Sequence, residues 1–199
     1  MIAAIVLAAG QSKRMGCPKL TLPWGKTSVL GQVIITLATA GINDIVIVTG
    51  AVQEQITTLV DLYVKRYPVR TIYNDGYAKG EMLSSLQIGL SAMKPETLAT
   101  LVVLGDQPQI MVSIVRQIIS TYLETGAPLI IPSYQMRRGH PWLVARTKWD
   151  SLLDLTSEQT PHDFLTAHAA DIHYLPVETS TILQDIDTPA EYEQQQPRL

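Results

Sequence analysis

Short runs of aliphatic and β-branched residues alternate along this chain with longer segments of helical periodicity, and this alternation restricts the fold more than any other feature. The runs lie at 2–7, 45–49, 69–73, 101–104 and 129–131. Most of their residues are apolar or β-branched, the mark of strands covered on both faces. Between two of them, Ile110, Ile114, Val115, Ile118, Ile119, Tyr122 and Leu123 fall on one helical stripe that stops at Gly126, just before a proline. Segments 29–40 and 53–66 have the same character, ending at Gly41 and before Pro68. Repeated strand–helix–strand order implies an α/β fold with a parallel sheet, right-handed crossovers and helices on both faces. The C-terminal third is less regular. Its pattern predicts strands at 142–145 and 172–177, helices at 147–155 and 161–168, and a last helix from Thr188 that frays over 194–199.

Composition narrows the partners. A chain of 199 residues, 46% hydrophobic and 17% charged, has material for one core and reads as a compact globule. Its formal charge of −3 offers no field to draw nucleic acid or an anionic membrane surface. Any polyanion must therefore be held by a few well-placed groups. The apolar start, 1–10, has no basic flank before it and is followed by Lys13 and Arg14, the wrong order for an export signal. No apolar run reaches the roughly 18 residues a membrane helix needs. The single cysteine, Cys17, excludes an internal disulfide and fits a reducing cytoplasm.

In open α/β sheets, ligands sit beyond the carboxyl ends of the strands, so the residues just after each run carry the information. After the first come Leu7, Ala8, Ala9, Gly10, Gln11, Ser12, Lys13, Arg14, Met15, Gly16, Cys17, Pro18 and Lys19. Small residues let backbone N–H groups converge on phosphate oxygens; Arg14 adds a planar fork and Lys19 a mobile point charge. The pattern is neither a G-x-G-x-x-G fingerprint nor a P-loop. After the fourth run come Gly105, Asp106, Gln107 and Pro108, which set a carboxylate at a strand end in a forced turn, well placed for a divalent ion. Further on are Arg137, Arg138, Gly139, His140 and Pro141, then Asp185, Ile186, Asp187, Thr188 and Pro189. In the last segment Thr188 also reads as a helix N-cap, with Pro189 at the first position and Glu191 at the third.

Taken in this order, L-A-A-G-x-S-x-R-M-G-x-x-K, G-D-Q-P, R-G-H-P and I-D-T-P resemble the signatures of the NTP-transferase superfamily, and within it the molybdenum cofactor cytidylyltransferase branch. The likeness runs from Ile2 to about Tyr192. It implies a three-layer Rossmann-like fold of the nucleotide-diphospho-sugar-transferase type, its sheet mostly parallel with an antiparallel strand. It also implies one NTP-transferase domain over 1–199, binding nucleotide through 1–110 and acceptor through 111–199. The implied reaction is attack of an acceptor's terminal phosphate on the α-phosphorus of CTP, releasing pyrophosphate. Leu7, Ala8, Ala9, Gly10, Ser12, Arg14, Lys19, Gly80, Ser84 and Asp106 would contact the nucleotide, and Arg14, Lys19, Asp106 and Asp187 would carry the catalysis. Asp106 and Asp187 would hold Mg2+, and Arg138, Gly139 and His140 would face the acceptor, a phosphorylated pterin. A client molybdoenzyme or its chaperone is the implied protein partner.

The chain departs from the family pattern in two places. Glu81 separates Gly80 from Met82, where relatives read G-M-x-x-S, so Ser84 stands equally as a base or ribose contact and as a helix cap. Segment 157–163 lacks the glycines and arginine of the relatives' G-D-x-G-A-R, which bears on the acceptor more than on the chemistry. Rival readings are a guanylyltransferase, a sugar- or alcohol-phosphate nucleotidyltransferase, and a cofactor-delivery chaperone without turnover. A dinucleotide oxidoreductase would need a glycine fingerprint that the first loop lacks. Asp61, Tyr63, His168 and His173 read as surface or helix-face residues and Trp24 as packing. Cys17 reads as inert.

Overall fold

The computed structural model describes residues 1–197, apart from the side chains of 79–81. From β1 (Ile2–Ala8) the chain passes through a small ribbon, β2 (Pro23–Trp24) and β3 (Thr27–Ser28), into α1 (Val29–Ala40). Then follow β4 (Ile45–Thr49), α2 (Gln53–Asp61), β5 (Val69–Tyr73), α3 (Tyr77–Ser91), β6 (Ala99–Leu104) and α4 (Val112–Thr125). The last part holds β7 (Leu129–Tyr134), β8 (Arg137–Arg138), β9 (Trp142–Ala145), α5 (Trp149–Leu153), α6 (Pro161–Ala167), β10 (Ile172–Pro176) and α7 (Pro189–Gln195). Among the described residues no helix is long and apolar enough to cross a membrane.

The main sheet runs β10-β7-β9-β6-β1-β4-β5, with β8 added on β7. Its pairings are parallel except those of β9 with β6 and β7 and of β8 with β7. The chain leaves β1 towards β4 and β5 on one side, then crosses to β6 on the other. That reversal opens a crevice at the carboxyl end of β1, where such sheets bind ligands.

Period-two alternation of the buried strands separates two cores. Ala4, Val6 and Ala8 of β1 point into one with Val33 and Ile34 of α1, Ile56 of α2 and Val115 and Ile118 of α4. Ala3 and Ile5 point into the other with Leu86 and Leu90 of α3, Leu152 of α5 and Phe164 of α6. Both faces are therefore covered, as the continuous apolar runs require.

The departures from the sequence expectation have local causes. The second helix stops at Asp61 and gives way to turns, in which the Tyr63 N–H reaches back only to Val60 O at 2.8 Å. Tyr63, read as a surface or helix-face residue, lies partly buried beyond the helix: its hydroxyl bonds Thr27 Oγ1 at 2.5 Å and its ring stacks on Tyr67. Leu123 is 71% exposed, so the stripe of α4 ends one residue early. The helix expected over 147–155 is a 3-10 turn, Arg146–Lys148, followed by the short α5. Strands of two residues, β2, β3 and β8, are too short to leave a periodic trace.

Candidate active site

Beyond the end of β1 the chain turns sharply. Ser12 takes a positive φ of 50°, its carbonyl accepts the N–H groups of Met15 and Gly16, and its hydroxyl accepts the N–H of Lys19 at 3.4 Å. Met15 and Leu20 are buried, so the loop is pinned on either side of Lys19. At the tip of β4, Gly50 lets the first loop come close: a Cβ there would meet Ala9 O and Tyr77 Cβ, each at 2.7 Å. Ala51 N donates to Ala9 O at 3.2 Å across the same contact.

The acidic residues arrive from two other elements. Asp106 follows β6, whose end is tied to β1 by Gly105 N donating to Leu7 O at 3.0 Å. Asp187 comes from near the far end of the chain and is set beside Asp106 by Ile186 N donating to Asp106 O at 3.1 Å. The Thr188–Glu191 capping box at the start of α7 holds it there, Glu191 Oε2 accepting the N–H groups of Asp187 and Thr188 at 3.0 and 2.8 Å. The capping role read from the sequence and the siting of Asp187 therefore coexist.

These groups meet. Lys19 Nζ donates to Asp106 Oδ2 at 2.5 Å and to Asp187 Oδ1 at 2.9 Å, and Arg14 Nη2 donates to Asp187 Oδ2 at 2.8 Å. Burial works against a charged Lys19, but the charge and hydrogen bond of Asp106, then those of Asp187, outweigh it and push its pKa up. Burial by itself would raise Asp187; the bond and charge of Lys19, then of Arg14, hold it below the usual carboxylate range. Asp185 is shifted up by burial and by the neighbouring Asp187 charge. Among the described residues no group of three or more His, Cys, Asp or Glu side chains could hold a metal.

The network lines a cavity of about 360 Å3. Leu7, Ala8, Ala9, Gly10, Ser12, Arg14, Lys19, Asp106 and Asp187 all line it. So do Tyr77, Met82 and Ser85, which the sequence reading missed; they come from the first turns of α3, beyond the end of β5. Buried Asn74 organises that turn, donating to the hydroxyls of Ser84 and Ser85 at 2.9 and 3.0 Å and accepting from Gly76 N. Both serines lie well inside α3, which begins at Tyr77, so neither caps it. Ser85, not Ser84, lines the cavity. The expectation for Gly80 falls outside the described residues.

A second cavity, of about 570 Å3, adjoins the first at Met82, which lines both. Arg138, Gly139 and His140 form one side, with the loop and helix start at Ser157–His162 opposite. A Cβ on Gly139 would meet Ile182 O at 2.5 Å, so glycine lets this strand end lie against the C-terminal segment, where His140 N donates to Ile182 O. His140 is partly buried beside this cavity, and desolvation lowers its pKa to about 4. Arg138 lies at the rim, its guanidinium 5.5 Å from the Tyr174 ring centre and bonded to the hydroxyl at 2.6 Å. Gln87 of α3 donates to the carbonyls of Leu152, Leu153 and Leu155, just before the Ser157–His162 segment. His168, read as a surface or helix-face residue, is partly buried at the end of α6 and pairs with Asp171 and Lys148 away from either cavity.

Residues 4–172 match the model of the MobA-like NTP transferase domain. Over 192 residues, 96% of this chain and 93% of the relative, the sequence is 30% identical to the molybdenum cofactor cytidylyltransferase of Escherichia coli K12. The chain belongs to the MobA-like NTP transferase family. Nicotine blue oxidoreductase from Paenarthrobacter nicotinovorans is 29% identical over 149 residues, 72% of this chain and 70% of that protein. Among solved structures, Rv0371c of Mycobacterium tuberculosis H37Rv superposes with a TM-score of 0.81 at 27% identity, covering 97% of this chain and 96% of that one. Its manganese complex superposes with a TM-score of 0.77 at 25% identity and the same coverage. As a MobA-like NTP transferase the chain is an enzyme, a nucleotidyltransferase, with the nucleotide-diphospho-sugar-transferase fold expected of it.

Proposed function

We propose that this nucleotidyltransferase moves CMP from CTP to the terminal phosphate of a molybdopterin-type acceptor, releases pyrophosphate, and does so in the cytoplasm. The observation that carries the reading is the Lys19–Asp106–Asp187–Arg14 network lining the first cavity, one side chain away from a second cavity with a cationic rim. The 30% identity to a molybdenum cofactor cytidylyltransferase supports both substrates.

In this reading the nucleotide rests on Leu7, Ala8, Ala9 and Gly10, with Tyr77 and Ser85 facing it and Ser12 shaping the loop. Arg14 and Lys19 neutralise charge on the triphosphate and the departing pyrophosphate, a preorganised electrostatic effect. Arg138 draws the acceptor's phosphate, and neutral His140 offers its ring to the acceptor without adding charge. The acceptor phosphate is already ionised near neutral pH, so the attack needs no general base. Segment 1–110 supplies most of the nucleotide site and 111–199 most of the acceptor site, exchanging Asp187 for Met82.

Two hard carboxylate oxygens beside a triphosphate are a donor set suited to a small divalent cation. Asp106 and Asp187 would hold Mg2+, which would offset charge and orient the α-phosphate; a structural relative is known as a manganese complex, which supports use of a divalent ion. Incubating the protein with CTP, GTP, ATP or UTP, Mg2+ and molybdenum cofactor, and following pyrophosphate, tests the whole reading. CTP is expected to give the signal, and absence of pyrophosphate with every nucleotide overturns it.

A further inference from the structure

The ammonium of Lys19 lies between the two carboxylates assigned to the metal. Two of its three N–H donors go to Asp106 and Asp187, while Arg14 takes the other oxygen of Asp187. The Lys19 side chain is 13% exposed and those of Asp106 and Asp187 are 19% and 21% exposed, so water and salt screen the arrangement poorly. A divalent cation arriving alone meets oxygens already neutralised, together with a like charge that has nowhere better to go.

We propose that Lys19 holds the cation position between Asp106 and Asp187 until the triphosphate arrives, so that metal and nucleotide enter together and the metal alone is turned away. The inference rests on the metal reading above. Its physical content is an exchange of partners. Lys19 and the phosphate loop line one cavity, so a triphosphate seated there gives the ammonium new anionic partners and frees the carboxylates. Each ligand then improves the affinity of the other by the same factor, as linkage demands. Lys19 thus acts as a positioning residue for order of binding, in addition to any contact with phosphate.

Binding of Mn2+, followed by the loss of its free EPR signal, tests this with and without the non-hydrolysable analogue CMPCPP. Wild type is expected to bind Mn2+ weakly alone and much more tightly with the analogue. Lys19→Met is expected to bind Mn2+ alone about tenfold more tightly than wild type, about 1.4 kcal/mol, and to gain little from the analogue. Lys13→Met removes a charge from the same cavity lining without touching the carboxylates, and is expected to shift Mn2+ affinity by less than about twofold. Equal Mn2+ affinity in wild type and Lys19→Met, or an equal gain in Lys13→Met, overturns the placeholder. If Asp106→Asn with the analogue still binds Mn2+ like wild type, the metal reading itself falls and takes the placeholder with it. Should Lys19→Met fail to fold, wild type labelled with 15N-lysine decides. The Lys19 ammonium resonance is expected to ignore Mg2+ alone and to move when Mg2+ and CMPCPP are added together. Movement with Mg2+ alone overturns the proposal.

Discussion

The two cavities are built on opposite principles. The first is small, and its working groups are charges that neutralise one another: two acids, a lysine and an arginine, gathered from the ends of β1 and β6 and the approach to α7. The second is larger and is walled by Leu83, Ile131, Trp142 and Leu165, with a histidine held neutral inside and an arginine at the rim. One is framed by strand ends that cannot shift without disturbing the sheet. The other owes a whole wall to residues 157–162, a loop and a helix start. On the proposed reading the comparison teaches a division of labour: a triphosphate would meet compensated charge fixed at strand ends, whereas the acceptor would meet a wall built largely from a loop.

Replacing the acids attacks the first cavity most severely. Asp106→Asn and Asp187→Asn, which keep shape and remove charge, are expected to cut metal-dependent turnover by about 10³-fold or more, with much of the nucleotide affinity kept. Steady-state rates across a Mg2+ titration check this, and wild-type dependence on Mg2+ in either variant removes that residue from the metal site. Next come the cations. Lys19→Ala and Arg14→Ala are each expected to cost about 2–4 kcal/mol in kcat/KM. Arg14, whose side chain is 71% exposed, belongs at the lower end. Near-wild-type rates in both would break the contrast between the cavities.

The second cavity is probed by pH. His140 has a folded pKa of about 4 against an ordinary value of 6.5, so the unfolded chain binds the extra proton first. Its contribution to stability is fully present above pH 6.5 and is lost as the pH falls from 6.5 towards 4. The loss amounts to about 2–3 kcal/mol by pH 4.5. Melting curves of wild type and His140→Asn between pH 7.5 and 4.5 should show the variant less acid-sensitive, and parallel curves would mean that His140 is not desolvated. Smallest is the choice of base. Ala9 and Tyr77 crowd the floor beside Gly50, and CTP is expected over GTP by about 1–3 kcal/mol in kcat/KM. A higher value for GTP would leave the first cavity's chemistry intact and change only its base.

Legibility in the sequence follows the same division. Lys19 and Asp106 could be found because they follow buried strands, whose apolar runs announce themselves and whose carboxyl ends are where ligands bind. Asp187 is different. Its local signal is a capping box, which is real, and only the family resemblance suggested that the aspartate before the cap faces Asp106. Tyr77, Met82 and Ser85 stayed hidden because their direction depends on where α3 begins, and that start at Tyr77 is set by the Asn74 turn and not by any apolar period. The wall at Ser157–His162 has no periodicity at all, and the sequence showed only that it departs from the relatives. The bond of Tyr63 to Thr27 was not legible because Thr27 sits in a ribbon too short to foresee.

One tie deserves to be followed into the life of the chain. Lys19 and Asp187 are 168 residues apart, and the bond from Ile186 N to Asp106 O is what docks the late segment onto the end of β6. During synthesis the phosphate loop and Asp106 emerge long before their second acid. Until residues 185–187 are in place, Lys19 has one carboxylate to answer instead of two. Completion of the site therefore waits for a segment that follows the last strand of the sheet. A product cut short before Asp185 keeps every strand of the sheet and is expected to be inert instead of half active.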